Sequence, residues 1–294
     1  MIKLGVIGIS DGNGHPFSWS AIFNGFDNKN MKNCGYPVIS NYLNQQKWPE
    51  SQIKDARVVS VWTQDYEISK RISSASFIPN IAKDFDDMMN EVDAVLLARD
   101  DFENHINFVR PFLKKGIPIY IDKPIAISEK DLTNIYSFEK YLGQIFTCSA
   151  LRYSNELNKL NIDNNRIGKI IKIKGYTPKS WEKYAIHIVE PVLNMIDDKD
   201  EIIKCTKYKN KKTTKLELEW LSGIHTSFST LGEIKSDLYL EIIGDRGSQK
   251  LVWKNTFQSF KAALQDFVDG IKYKECKSKK EYNYRVVNIL ERGL

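Results

Sequence analysis

The chain has 294 residues, 42% of them hydrophobic and 27% charged, with a net charge of +6. That length and balance suit two globular domains and exclude a disordered or fibrous protein. The lysines are scattered, and their densest run, residues 207–212, has one aromatic and no arginine, so it reads as a solvated loop or strand edge and no nucleic-acid partner is expected. The four cysteines, Cys34, Cys148, Cys205 and Cys276, show no CxxC spacing. They argue against a zinc site or a disulfide framework and fit a reducing, cytoplasmic setting. No apolar run reaches the ~18 residues of a membrane helix, and the start of the chain lacks a signal-peptide core.

Residues 2–9 read as a first strand. A glycine-bearing turn follows, from Gly8 to Pro16, and then a helix from about residue 18. Strand, glycine turn and helix are the context of a dinucleotide fingerprint, but in the GxGxxG frame from Gly8 the second position is Ser10 and the third is Asn13, with Gly12 and Gly14 out of register. A phosphate there would be favoured by turn amides and the helix N-terminus, with His15 adding a donor; the alternative is a turn that merely needs glycine. The next strand, residues 57–63, comes late, so residues 25–54 are expected as an insertion of loop and short helix near the cofactor cleft. Asp65, just past that strand, is the expected partner of a ribose hydroxyl, or else a helix cap; Lys70 and Arg71 leave a 2′-phosphate open.

Residues 92–98 form a continuous apolar run, a buried strand, followed by Arg99 and, further on, His105 at the head of a helix. Residues 119–121 are a strand that must stop at Pro124, which has no amide proton for a ladder bond. Asp122 and Lys123 are thereby held at a carboxyl strand end, where open α/β sheets bind ligands. Strand–helix alternation predicts a doubly wound parallel sheet. Residues 129–142 read as a helix, 144–151 as a strand ending at Arg152 and Tyr153, and 155–161 as a polar helix. The strands expected from residue 167 to 253 alternate apolar and polar residues, the pattern of an open, mainly antiparallel sheet. Among them lies a helix with Tyr184, His187 and Glu190 at spacings of three, which puts Tyr184 and His187 on one face. Lysine, tyrosine and histidine are residue types that do acid–base work, although such a face also packs on a sheet with its polar tips satisfied. Two amphipathic helices, 257–271 and 280–291, close the chain.

Several of these segments together resemble the Gfo/Idh/MocA family of NAD(P)-dependent oxidoreductases: residues 92–98 with His105, the stretch Tyr120 to Ala126 (an "EKPxA"-like motif), Arg152–Tyr153, Ile167 to Ile170, His187, and the strand turn from Leu240 to Ser248. The resemblance implies a Rossmann domain over residues 1–123 and a substrate-binding and assembly domain over 124–294, with an open sheet that supports homodimers or homotetramers. It implies NAD or NADP, NAD being favoured, and a hydride passed between nicotinamide and a hydroxyl or keto carbon, usually of a sugar or cyclitol; Arg152 and the positive charge balance, which could hold a phosphate, extend this to a nucleotide sugar. Lys123 would move the hydroxyl proton, with His187 and Tyr184 assisting. Gly8, Ser10, Asn13, Gly14, His15, Asp65, Arg99, His105, Asp122 and Lys123 would meet the cofactor, and Arg152, Tyr153 and Lys183 the substrate. No metal is expected. The chain departs from the family in its glycine turn, in Asp122 where the motif has glutamate, and in Lys183 where an acid is usual. These departures leave a second reading open, a non-catalytic dinucleotide-binding sensor or partner protein.

Overall fold

Short aliphatic runs, buried along their whole length, require cover on both faces and so assemble as a parallel sheet. In the computed structural model, which describes residues 1–294, the strands β1 (Ile2–Ile7), β2 (Ala56–Trp62), β3 (Asn80–Ile81), β4 (Ala94–Leu97), β5 (Ile119–Ile121) and β6 (Ile145–Phe146) lie in the order β3-β2-β1-β4-β5-β6, every pair parallel. The connections carry α1 (His15–Asn24), α2 (Asn28–Lys32), α3 (Pro37–Asn44), α4 (Tyr66–Ala75), α5 (His105–Lys115) and, after β5, α6 (Glu129–Tyr136). Strand order reverses between β1 and β4, and the carboxyl ends flanking that reversal are where doubly wound sheets bind ligands.

The strands belong to a compact unit made of Met1–Ile125, Thr133–Thr147 and Lys261–Lys279. Its core holds an aromatic column. His15 stacks on Trp19 at 4.9 Å, Trp19 on Tyr120 at 4.8 Å, and Tyr120 meets Phe146 edge-on at 4.7 Å. Each such pair adds about 0.5–1.5 kcal/mol beyond its buried area, and the column runs from the glycine turn into the middle of the sheet.

The second unit comprises Ala126–Leu132, Cys148–Phe260 and Lys280–Leu294. After α7 (Asn164–Ile167) come β7 (Ile170–Thr177), α8 (Trp181–Tyr184), α9 (Ile186–Leu193), β8 (Ile202–Lys209), β9 (Thr214–Trp220), β10 (His225–Thr230), β11 (Tyr239–Gly244) and β12 (Ser248–Val252), and at the end of the chain α11 (Lys280–Gly293); α10 (Thr256–Tyr273), between β12 and α11, belongs from Lys261 onward to the first unit. The sheet order is β12-β11-β7-β10-β9-β8, antiparallel except where β10 lies parallel to β7. That one parallel pair follows from the helical crossover after β7, which returns the chain in the original direction. Ile173, Gly175 and Thr177 point into the core, while the other face is polar: Lys174 pairs with Glu241 at 3.0 Å, Lys204 with Glu219 at 2.8 Å, and Tyr176 stacks on Tyr239.

Several elements are shorter than their patterns suggested. β6 has two residues rather than eight, because Ser149 leaves the ladder to cap a 3-10 turn over Ala150–Tyr153. The polar segment 155–161 keeps only a 3-10 turn, Lys159–Asn161. α6 stops at Tyr136, where Phe138 and Glu139 switch to i→i+3 bonds and the Gln144 side chain takes the Lys140 amide.

Candidate active site

The turn after β1 is built from contacts that only glycine permits. A Cβ on Gly8 would lie 2.4 Å from Pro16 Cγ, and one on Gly14 would lie 2.6 Å from Ile39 and 2.8 Å from Tyr36. The expected insertion thus packs directly on this turn. The polar residues of the turn reach across to the neighbouring strand ends. Ser10 Oγ donates to Asp100 Oδ1 (2.7 Å) and accepts from the Asp100 amide (3.0 Å). Asn13 Nδ2 donates to Asp122 Oδ2 (2.8 Å), and its Oδ1 accepts from the His15 amide (2.8 Å). His15 Nδ1 lies 2.6 Å from Asp122 Oδ2, and the Lys123 amide donates to Asp122 Oδ1 (2.8 Å). Asp122 is 1% exposed, so its carboxylate knots the turn to the end of β5 inside the protein.

Lys123 follows, buried, with Nζ 3.7 Å from Asp100 Oδ2. Ser10 therefore holds the acid that holds the lysine. Arg99 is locked elsewhere: its guanidinium grips Asp101 through Nε (2.9 Å) and Nη2 (2.6 Å), and Nη1 donates to Gln64 (2.9 Å). Gln64 in turn exchanges two bonds with the Ile9 backbone. His105 is fully buried, with Nε2 2.8 Å from the Arg99 carbonyl and Nδ1 3.1 Å from that of Ile125. It ties the chain leaving β4 to the chain leaving β5, and direct contact with a cofactor would require breaking those ties. Asp65 caps α4, accepting from the Glu67 and Ile68 amides through Oδ1.

In the second unit, α8 and α9 are joined by Ala185 in helical conformation, so the expected face survives: the Tyr184 and His187 rings meet edge-on at 5.3 Å. Lys179 donates to Tyr184 Oη and also lies 4.4 Å from the ring centre. Lys183 is half-buried. His187 Nδ1 lies 2.7 Å from Ser149 Oγ, and the Ser149 amide donates to Glu190 Oε2 (2.8 Å). Burial pushes the Glu190 carboxyl up, to about 7, against the opposing pull of Arg152 and the Ser149 amide. Arg152, which was expected to hold substrate, has its guanidinium 4.4 Å from the Tyr282 ring centre and its Nη1 buried without a hydrogen bond. Tyr153 lies beside it, half-buried, at 5.8 Å.

Residues 33–149 match the family model described as "Oxidoreductase family, NAD-binding Rossmann fold" (GFO_IDH_MocA). Over those residues the chain is similar to the Gfo/Idh/MocA oxidoreductases. No curated protein matches the chain in sequence. Solved structures similar over nearly the full length include myo-inositol 2-dehydrogenase from Lactobacillus plantarum (12% identity, TM-score 0.74, 99% of this chain and 95% of that one). They also include scyllo-inositol dehydrogenase from Lactobacillus casei with bound NAD(H) and scyllo-inositol (13% identity, TM-score 0.70, with the same coverage of both chains). A probable dehydrogenase from Thermotoga maritima is similar too (15% identity, TM-score 0.73, 98% and 94% coverage). At these identities the likeness is one of fold.

The family match begins past the irregular turn, and the turn explains why its sequence looks different. The first helical amide, His15, is taken by Asn13; Pro16 has no N–H; and Phe17 bonds back to Gly14. The end of α1 thus keeps little to offer a phosphate. Asp11 and Gly12, the exposed residues of the turn itself, remain. With the sheet order and the closely packed glycines, the residues present fit a dinucleotide whose phosphates meet turn amides rather than the helix end. Sequence reading missed Asp100, Gln64 and Ser149. Asp100 carries a signal, an acid directly after a buried strand at the ligand-binding edge; Gln64 and Ser149 carry none.

Proposed function

We propose that this chain is a Gfo/Idh/MocA-type NAD(P)-dependent oxidoreductase that moves a hydride between nicotinamide and a CH–OH carbon of a sugar, nucleotide sugar or cyclic polyol, with NAD as the preferred cofactor. One observation carries the reading: Lys123, in the Rossmann unit of an oxidoreductase family, is a buried amine held at a carboxyl strand end with Asp100 3.7 Å from Nζ. The nicotinamide, when bound, supplies the hydride acceptor or donor. Oxidation of a hydroxyl carbon leaves a hydroxyl proton that needs a positioned acceptor, and Lys123 Nζ takes it; in the reverse direction the same atom returns it. Asp100 steadies the amine and balances its charge. His187 and Tyr184 are assigned to a substrate oxygen, and Arg152, Tyr153 and Lys183 to the rest of the substrate. These assignments rest on the motif resemblance and on the polar face that Tyr184 and His187 share. The inositol dehydrogenases of like fold support keeping a cyclic polyol beside the sugars as a substrate class. Residues 1–123 would serve the cofactor and 124–294 the substrate and a homodimer or homotetramer, in the cytoplasm.

The rival is a dinucleotide-binding sensor. The turn side chains spent on internal bonds and the lysine at position 183 favour it. Fluorescence titration with NADH and NADPH, run on the wild type and on Lys123→Met, separates the two. The expected result is binding by both proteins, with turnover on a panel of polyols and sugars falling by about 10²–10⁴ in the variant. Binding without turnover in the wild type supports the sensor, and absence of binding by either cofactor overturns both readings.

A further inference from the structure

We infer that Ser149 is a positioning residue that fixes neutral His187 in its Nε2–H form, so that the ring presents a proton, not a lone pair, at Nε2. The meaning of this for catalysis rests on the proposed function; the tautomer itself does not. Ser149 is fully buried, and a buried hydroxyl must place its proton on an acceptor within the protein. Two groups stand at Oγ. The Leu151 amide, 3.2 Å away, can only donate, and it does so as part of the cap on the 3-10 turn. His187 Nδ1, 2.7 Å away, is the group that can accept. The hydroxyl proton therefore points at Nδ1, Nδ1 carries a lone pair, and the single proton of a neutral imidazole sits on Nε2.

Ser149 cannot turn away, because its amide is held as well. Glu190 Oε2 accepts that amide at 2.8 Å, and Glu190 is 1% exposed. His187 and Glu190 are three residues apart on α9, so one turn of one helix grips the hydroxyl and the amide of the same serine. The Tyr282 hydroxyl donates to the Glu190 carbonyl and secures that turn.

The polarity matters. A carboxylate beside Nδ1 would accept the ring proton and leave Nε2 as a base. Ser149 donates instead, so His187 can hydrogen-bond a substrate oxygen but, while neutral, cannot take its proton at Nε2. Proton removal then falls to Lys123, and the absence of an acid at position 183 fits that division.

The test is nitrogen NMR on protein labelled at its four histidines, with His187→Gln identifying the signal. Above the pH at which the ring loses its charge, long-range proton–nitrogen correlations report which nitrogen is protonated. The expected wild-type pattern is Nε2–H, retained in Ser149→Thr and replaced by a mixture in Ser149→Ala. In Ser149→Ala kcat should fall about ten- to a hundredfold, the usual cost of removing a partner that orients a functional histidine, while NADH affinity is unchanged. A wild-type pattern of Nδ1–H, or a Ser149→Ala pattern identical to the wild type, overturns the inference. The wild-type spectrum decides the tautomer even if the alanine variant fails to fold or no substrate is turned over.

Discussion

Asp122→Asn is the sharpest test of how the turn after β1 is held. The carboxylate accepts three bonds at 2.6–2.8 Å, two at Oδ2 from Asn13 and His15 and one at Oδ1 from the Lys123 amide. An asparagine offers one oxygen and one NH₂. With the oxygen turned to Asn13 and His15, its NH₂ faces the Lys123 amide, donor against donor. With the oxygen turned to Lys123, two donors lose their acceptor. Bonds to a charged acceptor contribute about 1.5–3 kcal/mol each, and a buried donor left unmet costs about 1–3 kcal/mol. Either orientation therefore costs about 3–5 kcal/mol. Native-state hydrogen exchange is the assay, because it reads each unit separately. Amides of β1 and β5 should exchange about a hundred- to a few-thousand-fold faster at tenfold per 1.4 kcal/mol, while those of β7 and β10 in the second unit serve as the reference. Acceleration below about fivefold, which corresponds to under 1 kcal/mol, would refute the knot as the element that holds the turn.

His105→Leu should cost about 1–3 kcal/mol, since the ring N–H is lost from between the buried carbonyls of Arg99 and Ile125; a loss under 1 kcal/mol in denaturant unfolding would show that the ring is passive. Glu190 gives a pH signature. Its carboxyl titrates near 7 when folded against an ordinary 4.5, so the folded chain binds the extra proton and stability falls as pH rises across that window. The window is worth on the order of 3 kcal/mol. Wild type should lose about that much relative to Glu190→Gln between pH 4.5 and 7.5, measured as thermal or denaturant stability; a constant difference between the two proteins would contradict the burial argument.

The parallel sheet was legible because β1, β2, β4 and β5 are runs of aliphatic residues with turn-formers at their ends, and because Pro124 can only follow a strand. The same logic overreached at β6. Ile145 and Phe146 begin like their predecessors, but Ser149 makes a local side-chain bond to the Leu151 amide that competes with the ladder. Along residues 92–123 the placement of Arg99 and Lys123 at strand ends was legible, since each follows directly from where an apolar run stops. What could not be read are the bonds between distant strand ends. Ser10 meets Asp100 across 90 residues, and Asn13 meets Asp122 across 109. Those pairings exist only once β1, β4 and β5 stand in their order, a property of the topology and not of any local pattern. Ser149 is hidden for the same reason, 38 residues from His187.

The two departures in the glycine fingerprint and the acids at the neighbouring strand ends make one device. Ser10 and Asn13 occupy the two positions where the pattern calls for glycine, and each sends its side chain to a carboxylate, Asp100 and Asp122 respectively. A glycine at either place would leave a buried carboxylate short of a partner, which costs more than the conformational freedom glycine would add. The glycines that do remain, Gly8 and Gly14, are those where a Cβ would strike Pro16, Ile39 or Tyr36. The turn has thus kept glycine where packing demands it and replaced it where a strut can reach a strand end. Asp100 in turn stands 3.7 Å from Lys123 Nζ. The irregular turn is consequently part of what positions Lys123, and the feature that made the fingerprint look damaged is a reason to expect the lysine to be held in one place.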